Sequence, residues 1–169
     1  MKGAVERRAP ALILDLQLAT ASRLVPHSTL FEAAARAALA GHRPRAELTI
    51  RVIGRAESRA LNRRYRHVDK ATNVLSFPTE GIAAVAPDFL GDIAICAPLV
   101  QTEAKAQRKP PEAHWTHLIV HGVLHLLGYD HIEEAAARTM EDLERAILSR
   151  LGLPDPYIAP YSSVIQADD

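Results

Sequence analysis

Two stretches near the start of the chain alternate between apolar and polar residues. In residues 11–18 the leucines at positions 12, 14, 16 and 18 share one face, and Asp15 and Gln17 lie on the other. Residues 47–53 repeat this pattern, with Leu, Ile and Val at positions 48, 50 and 52. Because successive side chains of a strand point to opposite faces, both stretches are predicted to be strands with one buried face.

Shorter apolar runs at 73–77 and 93–96 are also predicted to be strands, and Pro78 ends the first of them. Residues 81–88 between these strands are predicted to be a flexible connection. Five segments have helical periodicity and helix end signals. They cover about 29–40, 56–65, 98–108, 112–127 and 132–151.

End signals define several helix boundaries. Thr29 and Glu32 have the spacing of a capping box, and Pro98 suits a first helical turn. The last helix carries an apolar stripe that starts at Ile132 and is followed by Gly152. The order of elements predicts one α+β domain over residues 1–169, with α/β as the alternative class. It has about four strands in a mixed sheet, about five helices and a loosely ordered tail at 153–169.

Composition limits the possible partners and cellular environment of this domain. The chain has 169 residues, 48% of them hydrophobic, which suits one domain with a buried core. Basic and acidic residues number 20 each, so a nucleic-acid partner would need a local basic surface. Cys96 is the single cysteine, which excludes an intramolecular disulfide. No apolar run approaches the ~20 residues of a membrane span. A soluble, cytoplasmic protein without a membrane partner is predicted.

Three histidines late in the chain have the spacing of a metal site. His121 and His125 are four residues apart, so on a helix they project from adjacent turns of one face. Gly128 can end that helix and turn the chain, which brings His131 round as a third ligand. Three imidazoles with an open position are typical of catalytic zinc. The sequence thus predicts one divalent transition metal at the end of a central helix, with Zn²⁺ preferred and Ni²⁺ or another ion as an alternative.

Other polar residues near this motif have more than one interpretation. His114 and His117 lie within about 60° of His121 on a helix, and packing is favoured over a ligand-orienting or substrate-binding role. Asp130 either orients a ligand histidine or caps a turn. Zinc peptidases carry a glutamate general base directly after their first histidine, where this chain has Gly122. This absence argues against peptide hydrolysis by that route.

Three segments resemble one known family. They are LNRRYRHVDKATNVLSFP at 61–78, GDIAIC at 91–96 and HGVLHLLGYDH at 121–131. Together they resemble the YbeY family of bacterial rRNA-maturation endoribonucleases, over most of residues 46–150. The resemblance implies a metal-dependent endoribonuclease that acts on single-stranded RNA, in maturation of the 3′ end of small-subunit (16S) rRNA and in ribosome quality control. Its expected partners are small-subunit rRNA and the ribosome or its proteins, not DNA.

The resemblance also implies site residues: the metal ligands His121, His125 and His131, and a catalytic arginine that matches Arg66. His121 is then both ligand and catalytic residue. The residues themselves allow the same role for Arg66, since a guanidinium binds phosphate with two hydrogen bonds. The alternative is a solvated helix end.

Further residues could contact RNA. Lys105, Arg108 and Lys109 form a basic cluster that either follows an RNA backbone or only solvates a helix. Tyr65 and Tyr129 are possible stacking platforms, although packing is favoured for each. Two other functions stay open: a metal-dependent hydrolase of another substrate class, and a non-catalytic ribosome-assembly or rRNA-binding factor with a structural metal.

Overall fold

One open mixed sheet is the framework of the protein, in a computed structural model that describes residues 8–80, 82 and 84–158. Its strands are β1 (Ala11–Ala19), β2 (Arg45–Ile53), β3 (Val74–Pro78) and β4 (Phe89–Cys96). Their order is β1-β2-β4-β3. The first three in this order run parallel, and β3 runs antiparallel to β4. The predicted mixed sheet of four strands is confirmed.

The described part of the chain contains five helices, as the periodicity predicts. They are α1 (Ser28–Leu39), α2 (Arg55–Arg66), α3 (Ala97–Ala106), α4 (Pro111–Leu126) and α5 (Glu134–Arg150). Four of them contact the sheet, whereas α5 packs on α4. Helix α4 is central, because it contacts α1, α3, α5, β3 and β4. Ten of its 16 residues are buried. The single α+β domain is thus built around the helix that carries two of the predicted metal ligands.

Large apolar side chains fix α4 against its neighbours. Trp115 of α4 meets Phe31 of α1 edge to face, with ring centroids 5.6 Å apart, and both side chains are fully buried. Burial of each such ring contributes about 1.5–3 kcal/mol to the free energy of unfolding. Two turns further along α4, Gly122 faces Ile93 of β4. A Cβ at Gly122 would lie 3.0 Å from the Ile93 side chain, so glycine allows α4 to approach the sheet closely.

Two predictions about the first elements are wrong. Leu18 is 62% exposed rather than inward. It lies on β1, an edge strand with one neighbour, where less area is covered than on central β2. The capping box is also absent, because α1 begins at Ser28 and its N-cap is His27. The His27 Nδ1 accepts a hydrogen bond from the Thr29 backbone N–H at 3.3 Å.

In the second half of the chain, β4 and α5 start at other residues than predicted. Strand β4 starts at Phe89, four residues before the predicted start. The prediction began too late because Gly91 and Asp92 interrupt the apolar pattern. Helix α5 starts at Glu134 instead of Ile132, which is 88% exposed. Residues 153–158 of the tail, which was expected to be loosely ordered, make hydrogen bonds with α5 and with Lys109 before α4. Residues 159–169 lie outside the described part.

Candidate metal centre and its cleft

The last turn of α4 and the loop after it bring three histidines together. His121 and His125 lie on successive turns, and α4 ends at Leu126. Gly128 follows with a φ of 101°, a left-handed conformation that glycine adopts readily. The chain therefore turns back on the helix and presents His131 beside the other two.

The geometry of these rings fits one metal ion. One ring nitrogen from each histidine lies within 4.8 Å of the others. The Nε2 atoms of His121 and His125 are 3.0 Å apart. Two nitrogens that each lie about 2.0–2.1 Å from a tetrahedral zinc ion are separated by roughly 3.3 Å. The three histidines could thus hold a divalent ion with a position left open.

A buried carboxylate behind the centre orients His121. Glu144 of α5 is fully buried, and its Oε1 accepts a hydrogen bond from His121 Nδ1–H. With the proton on Nδ1, the lone pair of His121 is on Nε2, the atom that faces His125. Carboxylates commonly hold metal-binding histidines in this way. Glu144 is not among the site residues predicted from the sequence, although it is an acid on the apolar stripe of α5 between Met140 and Ile147.

Two further donors reach the same carboxylate. Tyr157 O–H donates to Glu144 Oε2, and His117 Nε2 lies 3.5 Å from that oxygen. Burial alone would raise the pKa of Glu144, but the hydrogen bonds from His117, His121 and Tyr157 together lower it. Burial and the bond to Glu144 raise the pKa of Tyr157. Glu144 is therefore an ionised acceptor and Tyr157 a protonated donor at neutral pH.

The surroundings of His125 keep its ring neutral. Burial lowers its pKa to about 4, and the neighbouring rings of His121 and His131 act in the same direction. A hydrogen bond with the backbone of Tyr129 has the opposite, smaller effect. His125 is consequently neutral at pH 7 and offers a lone pair, as metal coordination requires.

The contacts of Asp130, His114 and His117 bear on the roles that the sequence left open for them. Asp130 accepts a hydrogen bond from Ile132 N–H at 3.3 Å, so it is a turn aspartate, and Glu144 is the carboxylate that contacts His121. His114 is a buried packing residue, and its Nε2–H donates to Glu103 at 2.7 Å. His117 Nε2 lies 3.5 Å from an oxygen of Glu144, so this mostly buried ring reaches the carboxylate that His121 also contacts.

Arg66 and the three histidines line one cleft of about 560 Å³, here called the histidine cleft. The other lining residues are Thr72, Asn73, Val74, Leu75, Ser76, Pro78, Asp130 and Ile132. In the described part of the chain the Arg66 side chain has no hydrogen bond or ion pair. The structure thus brings all four predicted site residues to one cavity, with the guanidinium free to meet a ligand.

Buried side chains of α2 hold the loop that follows Arg66. Ser58 Oγ donates to the Thr72 carbonyl at 2.8 Å and accepts from Thr72 N–H at 2.9 Å. Asn62 donates to the Lys70 carbonyl at 2.8 Å. These bonds turn the chain back along α2 and lead it into β3, whose Ser76 donates to the Gly122 carbonyl of α4. The loop at 67–73 is therefore fixed to α2, and β3, which also lines the cleft, is fixed to α4.

The residues considered for RNA contacts differ in exposure and in the contacts they already make. Tyr65 is 53% exposed and rests edge to face on Phe77, whereas the Tyr129 hydroxyl bonds His42. Lys109 donates to the Pro156 carbonyl, so it has a structural contact. Cys96 is buried, as expected for a small apolar residue on a strand.

Comparison with known proteins identifies the family of this chain. A centre of three histidines in an open cleft is typical of metal-dependent hydrolases. The family model described as endoribonuclease YbeY matches residues 20–152, and the chain belongs to this family. The solution structure of TM1509 from Thermotoga maritima is similar at 19% identity, with a TM-score of 0.49. That similarity covers 86% of this chain and 99% of TM1509. No described helix is long and apolar enough to cross a bilayer.

Proposed function

We propose that this protein is a metal-dependent, single-strand-specific endoribonuclease. Its role is maturation of the 3′ end of 16S rRNA and ribosome quality control, in the cytoplasm and in contact with the ribosome. The observation that carries the proposal is the histidine cleft, in which Arg66 faces His121, His125 and His131. Membership of an endoribonuclease family supports the choice of RNA as substrate.

The proposed roles follow from the chemistry of each group. The three histidines hold one divalent ion, with Zn²⁺ preferred for three imidazoles and Ni²⁺ as an alternative. Such an ion supplies a Lewis acid for a phosphoryl oxygen and lowers the pKa of a bound water toward about 7. Arg66 binds the scissile phosphate and stabilises the negative charge that develops on it. His121 contributes through its Nε2, which Glu144 aims at the ion.

A second groove supports a single-stranded substrate. It has a volume of about 760 Å³ and shares Arg66, Leu75, Ser76 and Pro78 with the histidine cleft. Tyr65 lines it and is half exposed. An unpaired base next to the phosphate at Arg66 can stack on such a ring, whereas a base inside a duplex cannot.

The test uses a labelled single-stranded RNA that spans the 3′ end of small-subunit rRNA. Metal-replete wild type is compared with His121→Ala, Arg66→Ala and Arg150→Ala, the last being an exposed arginine outside the cleft. We expect wild type and Arg150→Ala to cleave and the other two to lose at least about 100-fold in kcat/KM, typical for loss of a group that stabilises a transition-state charge. Arg66→Ala should keep its metal.

The product ends identify the nucleophile. A 2′,3′-cyclic phosphate indicates the 2′-hydroxyl of the RNA, and a 5′-phosphate indicates water. Equal cleavage by all four proteins would indicate a contaminating nuclease. If folded, metal-loaded wild type binds the RNA but does not cut it, the proposal is wrong and the non-catalytic rRNA-binding factor replaces it.

A further inference from the structure

The segment after α5 returns to the metal centre. Leu153 N–H donates to the Leu148 carbonyl at 2.9 Å, which reverses the chain at the helix end. Residues 153–158 then pass along α5 and α4 and place the Tyr157 hydroxyl on Glu144. This segment lies beyond residues 20–152, which the family model matches. It is a feature of this chain that the family comparison does not explain.

Several contacts fix Tyr157 in this position. Arg145 of α5 donates from Nε to Asp155 at 3.0 Å, and its guanidinium lies 4.9 Å from the centroid of the Tyr157 ring. Asp155 also accepts a hydrogen bond from Tyr157 N–H at 2.8 Å. Lys109 of the α3–α4 connection donates to the Pro156 carbonyl at 2.8 Å. The segment is therefore tied both to α5 and to the α3–α4 connection.

The contacts of Glu144 explain what the hydroxyl does. One carboxylate oxygen accepts from His121 and the other from Tyr157, so the plane of the carboxylate is fixed by a donor at each end. His117 lies 3.5 Å from the second oxygen and its ring packs on Tyr157. Without the hydroxyl, a fully buried carboxylate would keep only the two histidines as donors and could rotate from His121 toward His117.

We propose that Tyr157 is a positioning residue for the metal centre: its hydroxyl fixes the Glu144 carboxylate, and Glu144 fixes the ring of the ligand His121. The inference rests on the metal site of the proposed function. It assigns to a segment outside the family match a role in how tightly the ion is held. The effect on the ion is indirect, because Tyr157 contacts a partner of the ligand and not the ligand itself.

The experiment measures metal affinity in the full chain. Zn²⁺ affinity is obtained by chelator competition, and Co²⁺ is used as a spectroscopic probe. The variants are Tyr157→Phe, Glu144→Gln, the double variant, and Tyr129→Phe as the matched control. Tyr129 also loses a hydroxyl bonded to a histidine, His42, but this hydroxyl does not contact Glu144.

We expect Tyr157→Phe to raise the Zn²⁺ Kd by roughly 5-fold, below the roughly 10–100-fold typical for loss of the orienting carboxylate itself. The Co²⁺ absorption bands should shift in Tyr157→Phe and stay unchanged in Tyr129→Phe. In the Glu144→Gln background Tyr157→Phe should add nothing, because its effect passes through the carboxylate. A purely structural role would lower the Tm of the metal-free protein without this non-additivity.

Three results would overturn the inference: an unchanged or lower Kd in Tyr157→Phe, an equal effect of Tyr129→Phe, or a full effect of Tyr157→Phe in the Glu144→Gln background. If wild type binds neither Zn²⁺ nor Co²⁺, the metal-dependent function fails with it. If the affinities behave as expected but wild type cuts no RNA, only the nuclease proposal fails.

Discussion

Helix α4 carries two histidine–carboxylate pairs that differ in what surrounds them. Near its amino end His114 donates to Glu103, and near its carboxyl end His121 donates to Glu144. The His114 side chain is 5% exposed, and that of His121 is 23% exposed. In the first pair the His114 ring is enclosed, and Glu103 of α3, whose side chain is 30% exposed, also accepts from Asn73 in the loop before β3. The second pair opens onto the histidine cleft.

The difference shows that a histidine held by a carboxylate is not in itself a metal ligand. Both pairs fix one ring nitrogen, but His121 presents the other nitrogen to His125 and His131 across an open cleft. The other nitrogen of His114 is buried and has no hydrogen-bond partner in the described part of the chain. The candidate metal centre differs from a packing contact in two ways: other histidines lie beside His121, and an open cleft gives an ion access to it.

The largest expected effect comes from removing the third ligand. His131→Ala leaves two imidazoles, and we expect its Zn²⁺ affinity to fall by more than the roughly 10–100-fold typical for loss of an outer partner. His114→Ala should keep its metal and lose stability instead, because it deletes a buried ring. Metal content after dialysis and the Tm of the metal-free proteins separate the two. Equal metal loss in both variants would contradict the distinction between the pairs.

A smaller effect is expected when each carboxylate is replaced. Glu144→Gln should weaken Zn²⁺ binding roughly 10–100-fold, because the amide no longer holds and polarises His121 as an anion does. Glu103→Gln makes the same chemical change in the other pair and should leave the Zn²⁺ Kd unaltered. Chelator competition on the two proteins side by side is the measurement. A weakened Kd in Glu103→Gln would mean that the two pairs communicate along α4.

The comparison also explains what could be predicted from the sequence. His121, His125 and His131 are close in the chain, so helix geometry and one turn suffice to bring them together. Glu144 is 23 residues from His121, and only the packing of α5 on α4 makes it a partner. Its position among apolar residues indicates a buried acid but not which group it meets. Tyr157 depends on a chain reversal after α5, which the prolines and polar residues of the tail do not reveal.

The sheet shows the same limit. Alternation predicts the strands β1 and β2 because it is a local property. The exposure of Leu18 depends on which strand lies at the edge, and the start of β4 depends on pairing with β2 through a register shift after Glu47. Local pattern therefore predicts which elements form, and long-range packing decides how far each extends and what it buries.

The smallest expected effect concerns the stability contributed by the His114–Glu103 pair in acid. Burial would raise the pKa of Glu103, but hydrogen bonds from His114 and Asn73 outweigh it and lower the pKa below the ordinary 4.5. Above pH 4.5 the carboxylate is ionised in both folded and unfolded chains, and its contribution to stability is complete. As the pH falls below that value the unfolded chain binds the proton first, so the contribution declines until the folded-state pKa is passed.

Glu103→Gln should therefore be less stable than wild type at pH 7, by about 1 kcal/mol, the net contribution of a hydrogen bond. The difference should shrink below pH 4.5 and vanish in stronger acid, where wild type is also uncharged at this position. Urea unfolding of the metal-free proteins from pH 7 to pH 3 measures it, and Glu144 cancels because both proteins carry it. A difference that stays constant with pH would mean that the charge of Glu103 does not hold His114, and that packing alone fixes the His114 ring.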